Sequence, residues 1–359
     1  MEKNSNITKK SWVIVSLCFL FFVFCFLIFV WQGIYLPKNP MGKEKIFAIG
    51  KGEGVREISF NLEKEGLIKS RLFFRIYVLS KGVSRNLQAG NYSLSPSMAI
   101  PEIAQKIVSG DVIKEKITVI EGWNKKEIAN YLEERGIIQS KDFLEKTKYI
   151  YWKEKYYFLK DRPDFNSYDR GNHGQEERDI EGYLFPDTYY IRKQETDNKE
   201  QSEEIIRNML DNFDKKLTPD LREEINLQGK TIFEIITMAS MLEKEVKDFE
   251  AKKLVSGILW KRFKNGIPLQ VDATITYITG KKTTQISLED LQIDSPYNAY
   301  KYRGLPLGPI SNPGIDSITA AIYPEESDYL YYLSTKEGRT LFSKTFQEHN
   351  IKKEKYLRQ

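Results

Sequence analysis

The stretch Gly52–Ser70, GEGVREISFNLEKEGLIKS, decides the fold class because a related copy follows it seventy residues later. That copy, Gly122–Ser140, reads GWNKKEIANYLEERGIIQS. Identical residues occupy Gly52/Gly122, Glu57/Glu127, Ile58/Ile128, Leu62/Leu132, Glu63/Glu133, Gly66/Gly136, Ile68/Ile138 and Ser70/Ser140. Each copy follows a β-like stretch, KIFAIG or EKITVIEG, and carries apolar residues at helical spacing before a glycine. The repeated unit therefore reads as strand, turn and helix, which predicts an α+β fold.

The two βα units resemble LysM and LysM-like modules, which bind the glycan of peptidoglycan. The alternative is that helix–glycine patterns recur by chance in α+β proteins. Eight identities among nineteen positions favour a true repeat. A related helix reads PEIAQKIVSG from Pro101 to Gly110. We expect a LysM-like region over residues 45–147.

An apolar segment lies N-terminal to the repeat. Trp12–Trp31 reads WVIVSLCFLFFVFCFLIFVW, twenty residues without a charge. This is the length that an α-helix needs to cross a bilayer. A cleaved signal peptide is the main alternative, but its apolar region is shorter and ends at a small-residue cleavage site. We predict a short cytoplasmic head over residues 1–10 and a transmembrane anchor over residues 11–36.

The orientation of the anchor is predicted from the residues on its two sides. Lysines are similarly frequent on the two sides, so the positive-inside rule discriminates little. A ten-residue head against a body of more than 300 residues favours an exported body. The sequence thus predicts a single-pass protein of the cytoplasmic membrane whose body lies on the extracytoplasmic side.

Composition limits the chemistry. The only cysteines, Cys18 and Cys25, fall in the apolar segment, and the only histidines are His173 and His349. A histidine metal site or a Ser-His-Asp triad is therefore nearly excluded, and acid–base work falls to Asp, Glu, Lys or Tyr. The net charge of +5 comes from interspersed Lys and Glu rather than a basic block. We expect no metal, no cofactor and no nucleic acid partner.

The segment between the repeat and the C-terminal motifs carries weaker patterns. Residues 150–180 are rich in Tyr, Lys, Asp and Glu, and we predict an irregular, surface-exposed stretch. The polar segment Ile191–Glu204 reads as a loop running into a helix. From Glu204 to Leu217 apolar residues recur at helical spacing, which predicts the helix itself.

The most informative helix is Thr231–Val246, TIFEIITMASMLEKEV. It is almost wholly apolar from Ile232 to Leu242, so we expect it to be buried. Its C-terminal end carries Glu243, Lys244 and Glu245. A carboxyl group on a buried helix favours its protonated form, and such a group can donate a proton to a glycosidic oxygen. A solvated Glu-Lys-Glu helix end is the alternative, and spacing alone does not choose between the two glutamates.

Two further segments carry groups suited to sugar hydroxyls. These groups are the amide, carboxylate and phenol side chains of Gln270, Asp272, Tyr297 and Asn298. Asp272 is equally suited to cap the helix that runs through Tyr277. The stretch Gly304–Gly314 holds six Gly or Pro residues, so it predicts a rigid loop that either lines a site or serves as a crossover.

These segments together resemble the MltG/YceG family of endolytic murein transglycosylases. The matching motifs are EGYLFPDTY at Glu181–Tyr189, MASMLEKE at Met238–Glu245, LQVDATITY at Leu269–Tyr277, SPYNAYKYRGLPLGPISNPG at Ser295–Gly314 and LYYLSTKEGRTLFSKTFQEHN at Leu330–Asn350. Their order and spacing agree with the family, and the resemblance covers nearly the whole predicted exported body.

The resemblance implies a function and assigns residues to it. The first glutamate of the Glu-Lys-Glu motif, Glu243, corresponds to the family's catalytic acid, which then acts as base. The implied reaction cleaves the MurNAc–GlcNAc bond within nascent glycan strands and leaves 1,6-anhydro-MurNAc ends. A catalytic domain over residues 148–359 is implied, as is work beside the peptidoglycan synthases of elongation or division. The groove residues implied to bind substrate are Gln270, Asp272, Tyr297, Asn298 and Asn312.

Three rival hypotheses belong to other classes. One is a muramidase-type hydrolase with two carboxylates, the second being Asp272. Another is a non-catalytic scaffold that binds peptidoglycan through the repeat. The third is a pyridoxal-phosphate lyase, which would need a Schiff-base lysine and a phosphate cradle. No Gly-rich strand–helix junction in the sequence suggests such a cradle.

Overall fold

The computed structural model describes residues 3–160, 179–192, 198–281, 286–335 and 338–357. The chain forms two compact units. The first comprises Met1–Glu115 and Tyr190–Glu195, and the second comprises Lys116–Tyr189 and Thr196–Gln359. Both units combine helices with short two-stranded sheets, so the predicted mixture of α and β structure is confirmed.

The N-terminal apolar segment is helical. Helix α1 spans Lys3–Tyr35, and its part Ile14–Tyr35 has the length and hydropathy of a membrane span. Among the described residues no other helix meets that test. The end of α1 packs in the first unit, where a Cβ on Gly33 would lie 2.3 Å from the Phe73 ring. Helix α1 is compatible with a membrane anchor.

Along the chain of the first unit, two consecutive helices lie between two strands that pair with each other. In chain order its further elements are β1 (Lys45–Ile49), α2 (Val55–Lys64), α3 (Arg71–Ser80), β2 (Gly90–Leu94) and α4 (Ile100–Ser109). Strands β1 and β2 pair antiparallel, with Lys45 opposite Leu94. Apolar side chains from every one of these elements form one buried core. This core is the main stabilising feature of the unit.

The second unit is mostly helical. Its elements begin with β3 (Lys114–Thr118), α5 (Lys125–Glu134), α6 (Ser140–Lys146), β4 (Thr188–Arg192) and α7 (Asn198–Lys216). They continue with α8 (Pro219–Leu227), α9 (Ile232–Glu245), α10 (Phe249–Lys264), α11 (Asp272–Thr279), α12 (Ile315–Ile322), β5 (Tyr331–Ser334), β6 (Thr340–Ser343) and α13 (Phe346–Leu357). Strand β3 pairs with β4, and the unit boundary falls within these two strands. Strands β5 and β6 pair antiparallel.

The two repeat copies have the same local structure. Helices α2 and α5 occupy equivalent positions, and the carboxylates of Glu57 and Glu127 each accept from the N-cap amide. The side-chain half of the capping box is present only in α5, because its N-cap is Asn124 and that of α2 is Gly54. The backbone amides of Leu67 and Ile137 each donate to the carbonyl five residues earlier. All four repeat glycines have positive φ, which a glycine adopts at no steric cost. The predicted strand–turn–helix repeat is confirmed, and its second helix lies in the second unit.

Helix α9 confirms the predicted buried helix. The Thr231 hydroxyl accepts from the Glu234 amide and the Glu234 carboxylate accepts from the Thr231 amide, which starts the helix at Ile232. Its side chains are buried from Ile232 to Leu242 except that of Glu234. The helix packs against α10, α11 and α12. Its last turn therefore holds Glu243 and Glu245 at the edge of the core.

One predicted segment needs correction. Residues 150–160 are irregular, with 3-10 turns at Tyr149–Tyr151 and Tyr157–Leu159, but they are not simply surface-exposed. Trp152 and Phe158 are fully buried, because Phe158 packs on the rings of Tyr183 and Phe213. Residues 161–178, which include His173, and residues 193–197 of the predicted polar loop lie outside the described residues.

Candidate functional site

The Glu243 carboxylate is held by three donors within the second unit. Its Oε1 accepts from Lys252 Nζ at 3.2 Å. Its Oε2 accepts from the Gly314 amide at 2.9 Å and from the Ser317 hydroxyl at 2.6 Å. Only 9% of the side chain is exposed. These contacts fix the position of the carboxyl group to within one rotamer.

Three elements supply those donors. Helix α10 brings Lys252, which lies nine residues beyond the glutamate and whose side chain is 4% exposed. Helix α12 brings the other two, since Gly314 is its N-cap and Ser317 lies in its first turn. The Gly314 amide has no acceptor within α12, so at the N-terminus of this helix it donates to the negatively charged Glu243 carboxylate.

The sequence predicted that burial would favour the protonated acid. The structure adds three hydrogen-bond donors around the carboxyl group, and one of them is the buried Lys252. Such donors are suited to hold a negatively charged carboxylate.

A second carboxyl group lies beside the first. Glu121 precedes the turn at Gly122, whose φ is +82°. A Cβ on Gly122 would touch Glu243 Cγ at 3.5 Å, and Lys244 Nζ donates to the Gly122 carbonyl at 3.2 Å. Burial and the charge of Glu243 raise the pKa of the Glu121 carboxyl group. Helix α9 and the turn before α5 therefore bring two acidic groups together.

Asn312 is a buried residue that forms hydrogen bonds with this turn and with one other segment. Its Nδ2 donates to the Trp123 carbonyl at 2.9 Å and to Glu181 Oε1 at 3.0 Å. Its Oδ1 accepts from the amides of Gly182 and Leu184, both at 2.9 Å. The residue is fully buried. No polar atom of this side chain is left for a sugar, so its contacts hold the loop Gly304–Gly314 against two other segments.

Glu181 begins the motif EGYLFPDTY and is itself buried. Both carboxylate oxygens accept from the Lys125 amide, at 3.0 and 3.1 Å, at the start of α5. Burial raises the pKa of Glu181 to about 7, and the nearby Lys125 only partly offsets that rise. Glu181 is thus a structural acid that joins Asn312 to helix α5.

Glu245 lies in a different environment from Glu243. Its carboxylate accepts from the Ala273 amide at 3.3 Å and from the Tyr332 hydroxyl at 3.2 Å. Burial and the charge of Asp272 raise the pKa of Glu245 to about 7. The partners of the two glutamates do not overlap. Glu245 joins α9 to α11 and β5, whereas Glu243 joins α9 to α10 and α12.

The predicted groove residues are dispersed around these two sites. Gln270 is exposed and has a φ of +53°, the only positive φ of a non-glycine residue among the described residues. Asp272 is exposed and accepts from the Tyr300 hydroxyl, and the ring of Tyr297 lies 5.1 Å from that of Tyr277. Asn298 is buried, and its amide group bonds four backbone groups.

Asp272 also tests the capping alternative. The N-cap of α11 is Val271, and Asp272 is the first helical residue, so the predicted N-cap role is wrong by one position. The carboxylate still lies at the helix N-terminus, where a negative charge is stabilised. It forms no hydrogen bond with Glu243, whose polar partners in the described part of the chain are Lys252, Gly314 and Ser317.

Sequence reasoning missed several members of the site. Lys252 and Ser317 belong to none of the motifs that were singled out, and no periodicity marks them. For Glu121, the repeat contains one sequence feature that could have indicated a special role. The equivalent residue of the first copy is Lys51, so the two copies differ in charge directly before their matching glycines.

Comparisons with known proteins identify the family of this chain. The model of the YceG-like family matches residues 47–355. A Bacillus subtilis (strain 168) protein named endolytic murein transglycosylase is 34% identical over 310 residues, which are 86% of this chain and 84% of that protein. A protein of the same name from Streptococcus pneumoniae (strain D39) is 32% identical, across 95% of this chain and 64% of its own length. The crystal structure of a yceG-like protein from Listeria monocytogenes matches with a TM-score of 0.55 and 32% identity, covering 86% of this chain and 99% of that one.

Proposed function

This chain belongs to the YceG-like family, and on that premise we propose that it is an endolytic murein transglycosylase with Glu243 as its general acid and base. The substrate is the peptidoglycan glycan strand, cut at an internal MurNAc–GlcNAc bond. The observation that carries this assignment is the Glu243 carboxylate itself. It is almost buried, accepts hydrogen bonds from three donors, and lies in the last turn of a helix that is otherwise almost wholly apolar.

The proposed reaction needs one acidic group and no water. Protonated Glu243 donates to the glycosidic oxygen while the bond from that oxygen to the muramic C1 breaks. The substrate's acetamido group stabilises the positive character that develops at C1. Glu243, now a carboxylate, takes the proton of the muramic 6-hydroxyl as O6 bonds to C1. The products are a free GlcNAc hydroxyl and a 1,6-anhydro end, and Glu243 regains its proton.

The donors around Glu243 support this cycle. A carboxylate forms midway through the reaction, and Lys252, Gly314 and Ser317 stabilise that charge. An intramolecular nucleophile replaces the activated water of ordinary glycosidases, so a second catalytic base is dispensable. Asp272, the second carboxylate of the rival muramidase hypothesis, contacts Tyr300 and influences Glu245 instead.

We propose that Gln270, Asp272 and Tyr297 contact the glycan. Gln270 and Asp272 are exposed, and Tyr297 is half-buried beside a second aromatic ring. Asn298 and Asn312 would act by holding the loops that carry such contacts, because their amide groups are already bonded. Catalysis is thus assigned to the region 148–359 that the motifs span.

Product analysis tests the assignment directly. Purified sacculi would be treated with the full-length protein in detergent and with Glu243→Gln, and the released fragments analysed by mass spectrometry. We expect anhydro-ended fragments from the unchanged protein. Loss of a general acid costs about 10²–10⁴-fold in rate, so the variant should release almost none. Sedimentation with sacculi should show that the variant still binds.

Glu245→Gln is the matched control, because it makes the same change two residues away. It should retain cleavage. If Glu243→Gln cuts at the normal rate and Glu245→Gln does not, the assignment fails. Reducing ends in place of anhydro ends would identify a hydrolase, and binding without release would identify a scaffold.

We further propose that residues 45–147 bind glycan as LysM-like modules. The duplicated βα unit supports this, since each copy presents the same helix and the same glycine turn. The test is sedimentation of the full chain with sacculi after exposed residues of α2 or α5 are replaced. Weaker sedimentation with an unchanged unfolding temperature is expected, and unchanged sedimentation would contradict the proposal.

We also propose that α1 anchors the protein in the cytoplasmic membrane with the catalytic part outside. The uncharged span Ile14–Tyr35, which is long enough to cross a bilayer, supports the anchor. Protease added to spheroplasts should digest the body, and protection of the body would contradict the proposal. A tether of this kind would hold the enzyme beside the peptidoglycan synthases of elongation or division, which cross-linking in cells would test.

A further inference from the structure

The Glu121 carboxyl group is exposed at the Glu243 site and accepts no hydrogen bond from the described residues. It lies at the end of the stretch that follows β3, directly before the turn into α5. Both oxygens of its neighbour Glu243 accept hydrogen bonds from protein donors. The site therefore holds one carboxyl group that the protein has engaged and one that is open to a ligand.

Gly314 places the two groups side by side. Its amide donates to Glu243 Oε2 at 2.9 Å, and a Cβ on the same residue would lie 1.9 Å from Glu121 Oε1. With standard backbone dimensions, these two contacts keep the carboxyl oxygens within about 7 Å of each other. Because Gly314 has no side chain, the Glu121 carboxyl group occupies the place where a Cβ of that residue would lie.

The charges around Glu121 come from three helices. Glu243 lies on α9, Lys252 on α10 and Asp316 on α12. Burial and the two acidic neighbours raise the pKa of Glu121, while Lys252 lowers it. With Glu121 itself, three acids and one lysine lie together, so the charge on each neighbour alters the proton held by Glu121.

We propose that Glu121 is a second functional carboxyl group of this site, which accepts a hydrogen bond from a hydroxyl or amide donor of the sugar at the scissile bond and sustains the proton on Glu243. The proposal rests on the proposed transglycosylase function and extends it from one acid to two. It also gives the second repeat copy a role in the reaction, since the turn of that copy supplies Glu121.

The chemistry stays balanced with Glu121 unchanged throughout. Glu243 still gives its proton to the glycosidic oxygen and recovers one from the 6-hydroxyl. Glu121 orients the donor group of the sugar through a charge-assisted hydrogen bond. Its negative charge meanwhile opposes loss of the proton from Glu243. No water and no other reactant enters.

Glu121→Gln tests both parts in the full-length protein. A charge-assisted hydrogen bond is worth enough that kcat/KM for anhydro-end release should fall about 10- to 100-fold. The alkaline limb of the pH profile of kcat/KM should also move to lower pH, because less negative charge then opposes loss of the Glu243 proton. Glu223→Gln, on the exposed face of α8, makes the same charge change and should alter neither.

Gly314→Ala offers a second route to the same group. Its φ of −75° suits alanine, and its amide can still donate to Glu243. The new methyl group would displace the flexible end of Glu121. The variant should reproduce the loss of kcat/KM, and the double variant should lose no more than the larger single loss.

The outcomes separate this inference from the proposed function. If the unchanged protein releases no anhydro ends, the proposed function fails first. If it releases them and Glu121→Gln keeps both kcat/KM and the pH profile, the inference alone is overturned. A fall in rate without a pH shift, together with additive losses in the double variant, would also overturn it.

Discussion

Lys252 Nζ lies 3.2 Å from Glu243 Oε1, and the two side chains are only 4% and 9% exposed. Nine residues and a change of helix separate them in the chain. An ion pair that is nearly buried makes each partner depend on the other, because an uncompensated charge in such a place is costly. The pair therefore offers a way to change the proposed acid without touching it.

Replacing Lys252 by methionine should raise the proton affinity of the site. The cation favours the Glu243 carboxylate, so its loss favours the protonated form, and the alkaline limb of the pH profile of kcat/KM should move to higher pH. Stability should fall by about 3 kcal/mol, since one charge of a buried pair is left alone. Urea unfolding and pH-dependent cleavage of sacculi would measure both effects.

The neighbouring Lys253 supplies the control. It pairs with Glu250, whose side chain is 66% exposed, so solvent screens this ion pair and Lys253→Met should change stability little. An unmoved pH profile in Lys252→Met would show that this lysine does not influence the reacting proton.

Ser317→Ala should slow the reaction with little loss of stability. It removes the 2.6 Å hydrogen bond to Glu243 Oε2 and leaves two other donors in place. One lost donor to a charge corresponds to about a 10-fold fall in kcat, because that donor stabilises the carboxylate that forms in the reaction. Ser256→Ala is the control, since Ser256 is also buried but its hydroxyl has no protein partner. Equal rates in the two variants would contradict a role for Ser317.

Asn312→Ala should unfold more easily without a specific loss of glycan affinity. The change leaves the partners of four hydrogen bonds unsatisfied at a buried position, so we expect a cost of about 2–4 kcal/mol. Urea unfolding would measure it, with the exposed Asn265→Ala as reference. A stable variant whose affinity for glycan is lower would instead restore Asn312 as a sugar contact.

Glu181 should make stability depend on pH. Its pKa in the folded protein is raised to about 7 from an ordinary 4.5, so the folded state binds the extra proton between those values. Stability from this group is therefore present below about pH 4.5 and is lost as pH rises toward 7, by about 2–3 kcal/mol.

Glu181→Gln cannot titrate, so its stability relative to the unchanged protein should improve as pH rises from 5 to 7. Unfolding in urea at a series of pH values would follow the difference. The exposed Glu134→Gln should show no such trend. A constant difference across this range would mean that the Glu181 proton is not linked to folding.

Gln270 combines backbone strain with an exposed amide. At a φ of +53°, glycine should be more stable than glutamine by about 1 kcal/mol, because it has no Cβ to clash. If the amide binds glycan, Gln270→Gly and Gln270→Ala should both cleave more slowly, yet only the glycine variant should gain stability. Thermal unfolding and cleavage of sacculi would separate the two effects. Full activity in both variants would assign the strain to the fold alone.

Sequence reasoning was strongest where structure is local. The repeat predicted the strand–turn–helix unit, and both Gly66 and Gly136 adopt the left-handed conformation that ends it. Apolar spacing predicted α9 to within a residue at each end. Even there, Asp272 was placed one position from its true place, since caps depend on backbone angles that residue type only biases.

Aromatic residues without periodicity were harder to place. Trp152 and Phe158 lie in a stretch that reads as polar, yet both are fully buried. Because the average composition of this stretch is polar, it does not indicate that single large side chains fill a gap between helices. Their burial follows from what packs around them, such as Tyr183 and Phe213, and these partners are distant in the chain.

The sequence by itself determined the repeat, the apolar helix α1, the buried helix α9 and, through the family motifs, the choice of Glu243. It could do so because helical periodicity, caps and motifs are carried by neighbouring residues. Only the tertiary structure decided what surrounds that glutamate. Lys252, Gly314 and Glu121 come from three other segments, and hydrogen bonds between distant segments depend on how the helices pack. The proposed acid is visible in the sequence, whereas its donors and its carboxyl neighbour exist only in the folded chain.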